Sequence, residues 1–378
     1  MPPPVDLSTD RFYLLSGELE GDILQPIWFQ SPAQVEAMFG PGSYPVYTAG
    51  NFRYHWFLSS TAQGIGNRLA TFWFYIRKGL EVYRQRRFEC IVAYSHMTTG
   101  LFAGALKLLT GTRLITEIAT TPHLVYITES PVPDWRHRIR KLYSDISLHL
   151  SMLLSNRAHF LFPDQLSPYP LLRKVRNSVF HEFVPVGAID RPPREENPEL
   201  YALLVGAPWY LKGADVLIEA FLSLSDEFPE FKLRILGYFP DIEQLRSLAH
   251  GSTQIEFLKA RPNPEAIEII RRATVVVLPS RCEGMGRVLI EGMAAGIPLI
   301  GSNIGGIPFM IRDQDNGFIV PVGNAPALAD RLRRLFTDND MRHRMGARGY
   351  ARAHEELNET VYVREFVRMV EATMQRSG

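Results

Sequence analysis

Short apolar runs alternate along most of the chain with longer stretches whose apolar residues recur at helical spacing. In the first half, the runs that predict strands are Phe12–Leu15, Tyr44–Tyr47, Cys90–Tyr94, Leu114–Ile118, Phe160–Phe162 and Val179–Val184. In the second half they are Tyr201–Val205, Lys232–Leu236, Gln254–Leu258, Thr274–Leu278, Ile297–Ile300 and Gly317–Val320. Uninterrupted runs such as Thr274–Leu278 are typical of parallel strands covered by helices on both faces. The alternation predicts an α/β protein with doubly wound parallel sheets.

One polar segment interrupts this pattern. Asp190–Pro198 holds three prolines and five charged residues, which predicts an interdomain linker. We therefore expect an N-terminal domain of residues 1–190 and a second domain of residues 191–356, built on two sheets of similar size. In the final segment, 357–378, Glu359–Gln375 has apolar residues at helical spacing and predicts a terminal helix that needs a packing partner.

Composition narrows the class of protein. The 378 residues are 46% apolar, which favours two domains with full-sized cores. Lys and Arg number 41 and Asp and Glu 40, so no overall charge argues for a nucleic-acid partner. Two cysteines make neither a disulfide framework nor a metal site. Met1–Arg11 is Pro-rich and acidic, without the apolar stretch of a signal peptide, so we expect a cytoplasmic protein.

The segment Pro279–Pro298 holds the most informative chemistry. The run Thr274–Leu278 predicts a strand that ends there, a glycine-bearing turn follows, and a helix is predicted from about Arg287 to Ala295. The turn therefore lies at the carboxyl end of a strand and the amino end of a helix, where open parallel sheets bind ligands. Gly284 and Gly286 allow a ligand to approach the backbone closely, and the free N–H groups of a helix start suit phosphate or a hydroxyl.

Two carboxylates bracket this turn. Glu283 lies within it, and Glu291 lies one to two turns into the helix among apolar residues. Carboxylates at the mouth of a crevice can accept hydrogen bonds from several hydroxyls, which suits a sugar or a ribose. Taken singly, Glu283 also fits an ordinary turn acid, and Glu291 fits an exposed helix residue or a local salt bridge. Neither has His or Cys at metal-ligand spacing, so no metal is expected.

The two glutamates, seven residues apart with Gly-x-Gly between them, resemble the signature of retaining glycosyltransferases of family 4. Other segments resemble the family's elements in the expected order: Val205–Phe221, Leu278–Ser280, Gly305–Pro308 and Asn316–Val322. The resemblance is strong over residues 201–350. Over residues 1–190 only the order of the strands matches.

This resemblance implies a GT-B fold, in which two Rossmann-like domains face each other across a cleft. The C-terminal domain would hold a nucleotide sugar, the N-terminal domain would supply most of the acceptor site, and the terminal helix would pack back on the N-terminal domain. The implied activity moves a hexose-type sugar to a glycan, lipid-linked or small-molecule acceptor, as in cell-surface polysaccharide synthesis.

The resemblance implies a role for each residue of this sequence that matches a functional position of the family. Glu283 would contact the transferred sugar, Glu291 the ribose and Lys212 the diphosphate, and the backbone N–H groups of Gly284, Met285 and Gly286 would line the ligand. No metal or cofactor is expected, because protein cations and helix dipoles stabilise the leaving nucleoside diphosphate.

The sequence departs from the family at two positions. The family usually has Arg directly after the glycine that matches Gly206, and here that residue is Ala207. Arg287, at the helix start, is a candidate to compensate for the missing charge, against the alternative of a solvated helix residue, and Arg281 is a second candidate. Phe309 also stands where the family usually has Glu, at a position less central to the chemistry.

The N-terminal half offers weaker candidates. Ser16–Gly21, with Gly17 and Gly21, follows the first predicted strand and is either a flexible loop that meets the diphosphate or a surface turn. His96 and His123 each follow a predicted strand and are candidates for a contact with the transferred sugar, against the alternative of ordinary loop histidines. His123 is preferred, because its loop roughly matches the usual place in the family.

One basic stretch has two interpretations. Asn67–Arg87 interleaves aromatic and basic residues, which fits a helix with an aromatic core face and a solvated basic face. It also fits a helix that lies on a membrane near a lipid-linked acceptor. The net charge of +4 over residues 1–192, from 19 Lys or Arg and 15 Asp or Glu, weakly favours an anionic membrane or an acidic acceptor.

Other functions on this fold remain alternatives. A sugar-nucleotide epimerase would act without an acceptor, and a phosphorylase of the glycogen type would need a pyridoxal phosphate lysine. A non-catalytic nucleotide-sugar or carbohydrate-binding protein would fit the loss of the phosphate-binding arginine at Ala207.

Overall fold

A computed structural model describes most of the chain. The described residues are 10–28, 31–39, 41–59, 65–124, 126, 130–163, 165–172, 174–189 and 199–375. The expected linker, Asp190–Pro198, lies outside them.

Strands and helices alternate over both halves. The strands are β1 (Gly21–Trp28), β2 (Val46–Ala49), β3 (Phe52–Ser59), β4 (Cys90–Ala93), β5 (Arg113–Ile118), β6 (Arg157–Phe160), β7 (Asn177–Val179), β8 (Tyr201–Val205), β9 (Lys232–Gly237), β10 (Ile255–Lys259), β11 (Val275–Leu278), β12 (Leu299–Ser302) and β13 (Gly317–Val320). The helices are α1 (Arg11–Leu15), α2 (Pro32–Phe39), α3 (Ile65–Arg86), α4 (Thr98–Thr110), α5 (Trp135–Leu154), α6 (Trp209–Lys212), α7 (Ala214–Leu222), α8 (Ile242–Ser247), α9 (Asn263–Arg271), α10 (Arg287–Ala294), α11 (Ile307–Met310), α12 (Ala325–Thr337), α13 (Asn339–Glu356) and α14 (Glu359–Met374).

The C-terminal half forms one parallel sheet with strand order β10-β9-β8-β11-β12-β13. Alternate residues of β11 enter two separate cores: Val275 and Val277 pack with α7 and α12, and Val276 and Leu278 pack with α10. Both faces of the sheet are therefore covered, as the uninterrupted apolar runs predict. The expectation of a doubly wound parallel sheet is confirmed here.

The N-terminal half differs from the prediction of one sheet. Its strands form a parallel sheet β4-β5-β6-β7 and a separate three-stranded sheet β1-β3-β2. In the smaller sheet β2 runs antiparallel to β3. The turn between them contains Gly50, whose φ of +58° is readily adopted only by glycine.

The first predicted strand, Phe12–Leu15, is wrong, because these residues belong to helix α1. The Asp10 side chain accepts hydrogen bonds from the backbone N–H groups of Phe12 and Tyr13, both at 2.9 Å. This N-cap satisfies donors that a helix start otherwise leaves free, and so favours a helix over a strand.

The sequence did not reveal β1 and β3. Polar residues interrupt both strands, and the structure pairs these residues with each other. Asp22 of β1 accepts hydrogen bonds from Arg53 Nε at 3.0 Å and Nη2 at 2.9 Å, and its Oδ1 lies 2.7 Å from His55 Nε2. Mutual satisfaction allows charged residues to occupy half-buried strands that an apolar pattern would not predict.

The terminal helix packs on the N-terminal half. Tyr362, Phe366 and Met369 of α14 lie in one buried cluster with Leu15 and Ile115. The predicted helix Glu359–Gln375 therefore has its packing partner, although α14 follows the C-terminal half in the chain.

Helix α3 covers the basic stretch Asn67–Arg87 except for its last residue. Phe72 and Tyr75 pack against Phe102 of α4, with ring centroids 5.0 and 5.8 Å apart, and Phe74 stacks on Phe57 at 4.9 Å. These contacts fit the interpretation of an aromatic core face. Among the described residues, no helix is long and apolar enough to cross a membrane.

Candidate active site

The strand order of the C-terminal sheet defines one crevice. Chain order reverses between β8 and β11, which lie side by side. In open parallel sheets ligands bind outside the carboxyl ends of the strands at such a reversal. The loop after β8 leads to Lys212, and the loop after β11 contains Glu283, so the two candidate residues meet at this crevice.

Glycines shape the first loop. Gly206 has a φ of +132°, and a Cβ at this position would lie 3.0 Å from Lys212 Cε, so the lysine stem packs over the bare glycine backbone. Gly213 ends α6 with a φ of +74°, and a Cβ there would lie 2.1 Å from the Pro279 carbonyl oxygen. Glycine is thus needed at 213 both for its backbone conformation and for the contact between the two loops.

Lys212 and Glu283 form an ion pair across these loops. Lys212 Nζ donates to Glu283 Oε2 at 2.6 Å, and the side chains are only 18% and 12% exposed. Ser280 Oγ lies 3.4 Å from the same oxygen. The pair concentrates a cation and a carboxylate at the point where a ligand would enter.

Arg281 has a different role from the one expected. Its guanidinium donates to both carboxylate oxygens of Asp215, at 2.7 and 2.6 Å, and to the Tyr210 carbonyl at 2.7 Å. It thereby joins the loop after β11 to helix α7. Because its donors are engaged in this bidentate pair, compensation by Arg281 for the missing arginine is not favoured.

The turn from Glu283 to Gly286 contacts the N-terminal half. Thr121 Oγ1 donates to the Glu283 carbonyl at 2.5 Å. A Cβ at Gly284 would lie 2.3 Å from the Ala119 carbonyl oxygen, so only glycine fits this approach. Gly286 has a φ of +78° and precedes α10, whose start has no side-chain cap among the described residues. The Gly284 N–H donates to Glu283 Oε1 at 3.2 Å, so the N–H groups of Met285 and Gly286 are the better placed to serve a ligand.

Glu291 lies on α10 in a partly buried position. Burial raises the pKa of its carboxyl above the usual value of 4.5, the positive charge of Arg287 opposes this shift, and the negative charge of Glu182 adds to it. Arg287 itself is exposed. Arg281 is held in a bidentate pair with Asp215, whereas Arg287 is exposed. Of these two candidates to replace the arginine absent at Ala207, Arg287 is therefore the better placed to reach a diphosphate.

Glu182 is a candidate that the apolar pattern of its segment does not indicate. It follows β7, accepts a hydrogen bond from the Tyr94 hydroxyl at 3.0 Å, and its backbone N lies 3.3 Å from Met285 Sδ. The run Val179–Val184 was interpreted as one strand, but β7 ends at Val179. The pair His181-Glu182 inside this otherwise apolar run was the available signal.

The two candidate histidines lie in different surroundings. His96 is 3% exposed and its Nε2 lies 3.0 Å from Ser144 Oγ, and burial lowers the pKa of its imidazole to about 4. These contacts favour an internal role over a sugar contact. His123 lies two residues beyond Thr121, which contacts the turn, and its Nδ1 is buried without a hydrogen-bond partner among the described residues. It stays the preferred histidine.

The glycine loop Ser16–Gly21 follows helix α1 and precedes the first strand, contrary to the expectation. Asn51 Nδ2 donates to the Ser16 carbonyl at 2.7 Å, and Gly21 begins β1. Gly17 and Gly21 therefore lie beside the β2–β3 turn, a position that favours the surface-turn alternative. In the part of the chain that the structure describes, no group of three His, Cys, Asp or Glu residues is placed to hold a metal ion.

The C-terminal half of the chain is similar to known glycosyltransferases. Residues 188–352 match the model of glycosyl transferases group 1. D-inositol 3-phosphate glycosyltransferase of Corynebacterium efficiens is 34% identical over 172 residues, which cover 42% of this chain and 40% of that protein. N-acetyl-alpha-D-glucosaminyl L-malate synthase of Bacillus anthracis is 30% identical over 159 residues, or 41% of each protein. The chain thus matches about two fifths of the length of these relatives.

Solved structures resemble the whole chain. Sucrose-phosphate synthase from Thermosynechococcus elongatus aligns with a TM-score of 0.76 and 16% identity, over 97% of this chain and 91% of that chain. HepE of Anabaena, solved in complex with UDP and glucose, aligns with a TM-score of 0.70 and 14% identity, over 97% and 96%. At these identities the likeness shows a shared fold.

Proposed function

Because residues 188–352 match the model of glycosyl transferases group 1 and the chain has the GT-B fold, we propose that it is a retaining glycosyltransferase. The proposed reaction moves a hexose-type sugar from a nucleotide-sugar donor to a glycan, lipid-linked or small-molecule acceptor. We place this activity in the cytoplasm, in cell-surface polysaccharide synthesis.

The observation that carries the proposal is the Lys212–Glu283 pair at the strand-order reversal. Transfer breaks the bond between the anomeric carbon and the diphosphate, so negative charge develops on the leaving oxygen. Lys212 and the N–H groups before α10 supply positive charge at this point. Glu283 accepts hydrogen bonds from the sugar hydroxyls, and its backbone is held by Thr121 from the other half.

The pH dependence of donor binding tests the proposed role of Glu291. The ionised carboxylate would accept hydrogen bonds from the ribose, and burial raises its pKa. Donor affinity should therefore be complete above the raised pKa and fall as the pH drops through it, at a higher pH than for an ordinary glutamate. In Glu291→Gln this fall of donor affinity at low pH, the acid limb, should vanish. The KM for donor should rise about tenfold or more, since a charge-assisted hydrogen bond contributes roughly 1.5–3 kcal/mol.

Calorimetric titration of donor at several pH values would measure this limb. Glu243→Gln is a matched control, because Glu243 is an exposed helix residue of the same half. An unchanged acid limb in Glu291→Gln would reject the assignment.

The stereochemistry of the product tests the reaction class. We expect the product to keep the donor's anomeric configuration, because the two-glutamate motif resembles that of retaining enzymes. NMR of freshly formed product would show this, and an inverted centre would contradict the proposal. Thermal-shift screening should first select the donor, since a ligand at 100 times its Kd adds about 2.7 kcal/mol of stability. The UDP bound in HepE makes UDP-sugars the first to test.

The same experiments separate the alternatives. An epimerase would convert the donor sugar without any acceptor, and a non-catalytic binding protein would be stabilised by donor without consuming it. Release of nucleoside diphosphate that depends on an added acceptor favours the transferase.

A further inference from the structure

Helix α5 carries a continuous exposed apolar face. Six large side chains recur every three or four residues along its whole length of about 30 Å. They are Trp135 (65% exposed), Ile139 (56%), Leu142 (60%), Ile146 (51%), Leu150 (45%) and Leu153 (80%). At this spacing they lie on one side of the helix, and we call them the α5 stripe.

The inner face of α5 has the opposite character. Ser144, Ser147 and Ser151 are buried there together with Leu148 and Met152. Ser151 Oγ donates to the His96 carbonyl at 2.6 Å. A Cβ at Gly100 of α4 would lie 2.6 Å from Ser151 Oγ. Small residues thus allow α4 and α5 to approach closely. Surface helices of soluble proteins normally bury the large apolar face and expose the small polar one.

Cations lie at both ends of the stripe. Arg136, Arg138 and Arg140 are exposed on the first turns of α5. At its other end Met152 and Ser155 line a cavity of about 360 Å³ that is also lined by Arg113, Arg157, Lys174 and Arg176, and its described lining residues include no Asp or Glu. Arg157 donates to neutral oxygens, the Asn177 carbonyl at 2.9 Å and Thr373 Oγ1 at 3.1 Å. The cavity therefore has uncompensated positive charge.

We propose that the α5 stripe lies on an anionic lipid membrane, with the basic cavity receiving lipid phosphate. Apolar side chains flanked by arginines match a bilayer interface, where acyl chains meet anionic head groups. If a second copy of the chain packed on the stripe in register, Arg136, Arg138 and Arg140 of the two copies would face and repel each other. This surface is independent of the proposed reaction, and it would hold the N-terminal half against the bilayer.

Vesicle sedimentation of the full chain tests the proposal. Wild type should bind vesicles of phosphatidylcholine mixed with phosphatidylglycerol, bind pure phosphatidylcholine weakly, and lose binding as salt rises. Ile139→Glu/Leu142→Glu should lower the partition coefficient at least about tenfold. Lys174→Gln/Arg176→Gln should lower it several-fold for the anionic vesicles alone.

The matched control is Leu69→Glu/Trp73→Glu on α3, where both side chains are also exposed, at 55% and 63%. It should bind as wild type does, and Ile139→Ser/Leu142→Ser should repeat the loss without added charge. Unfolding curves would verify that the variants are folded.

Three results would overturn the proposal. In the first, both α5 variants bind vesicles as well as wild type does. In the second, only the α3 variant loses vesicle binding. In the third, wild type does not bind vesicles but forms a dimer, which Ile139→Glu/Leu142→Glu dissociates.

Discussion

Lys212→Ala should lower kcat/KM for transfer by about 10³-fold or more, the largest effect that we expect from any single side chain. One donor that stabilises a developing oxyanion is typically worth about 10²–10³ in rate. Removal of Lys212 also leaves Glu283, 12% exposed, without its cation. Because Ala207 stands where the family has arginine, the first loop supplies no second cation to the diphosphate.

The measurement is steady-state kinetics with donor and acceptor, together with titration of the nucleoside diphosphate. Arg287→Ala is the matched comparison and should cost only several-fold to a hundredfold, since Arg287 is exposed beside Glu291. If Lys212→Ala is folded and retains activity within tenfold of wild type, Lys212 does not hold the leaving group. If Arg287→Ala binds the diphosphate as tightly as wild type, compensation by Arg287 is wrong.

Glu283→Gln should lower kcat by about 10²–10³-fold with a smaller change in KM. The amide keeps the size of the side chain but removes the charge that pairs with Lys212 Nζ at 2.6 Å. Its hydrogen bonds to the sugar would weaken most in the transition state, where positive charge develops at the anomeric carbon, so turnover suffers more than binding.

A double variant tests whether the pair acts as a unit. Lys212→Ala/Glu283→Gln should be little worse than Lys212→Ala alone, because groups that act together give non-additive losses. Strictly additive losses would show that the two side chains work separately. Wild-type kinetics in folded Glu283→Gln would remove Glu283 from the site.

The two halves of the chain differed in how well they could be predicted. In the C-terminal half, Tyr201–Val205 and Gly317–Val320 were predicted with the bounds of β8 and β13. Strands buried on both faces have no polar positions, so their apolar runs begin and end where the strands do. In the N-terminal half, β1 and β3 escaped notice, since Asp22, Arg53 and His55 satisfy one another only after the strands pair.

The residues of the candidate site also differ in how well the sequence predicts them. The sequence indicates Glu283, Gly284 and Gly286 as candidates because a turn between a buried strand and a helix has a recognisable sequence. Glu182 was missed, because its approach to Glu291 depends on how two distant halves meet. The pairing of Arg281 with Asp215 could not be predicted either, since the two residues meet only through the contact of two loops.

By itself, the sequence determined the parallel sheet of the C-terminal half, the glycine turn at its edge and the two glutamates that bracket the turn. These features depend on neighbours in the chain, so local spacing predicts them. Only the tertiary structure decided which side chains meet across loops, and which face of a helix is covered. The apolar spacing of Trp135–Leu154 would ordinarily indicate a buried face, yet its serines are buried with Leu148 and Met152, and the six large residues of the α5 stripe lie outside. Periodicity reveals that a helix has two faces, but only packing against neighbours selects the one that is buried.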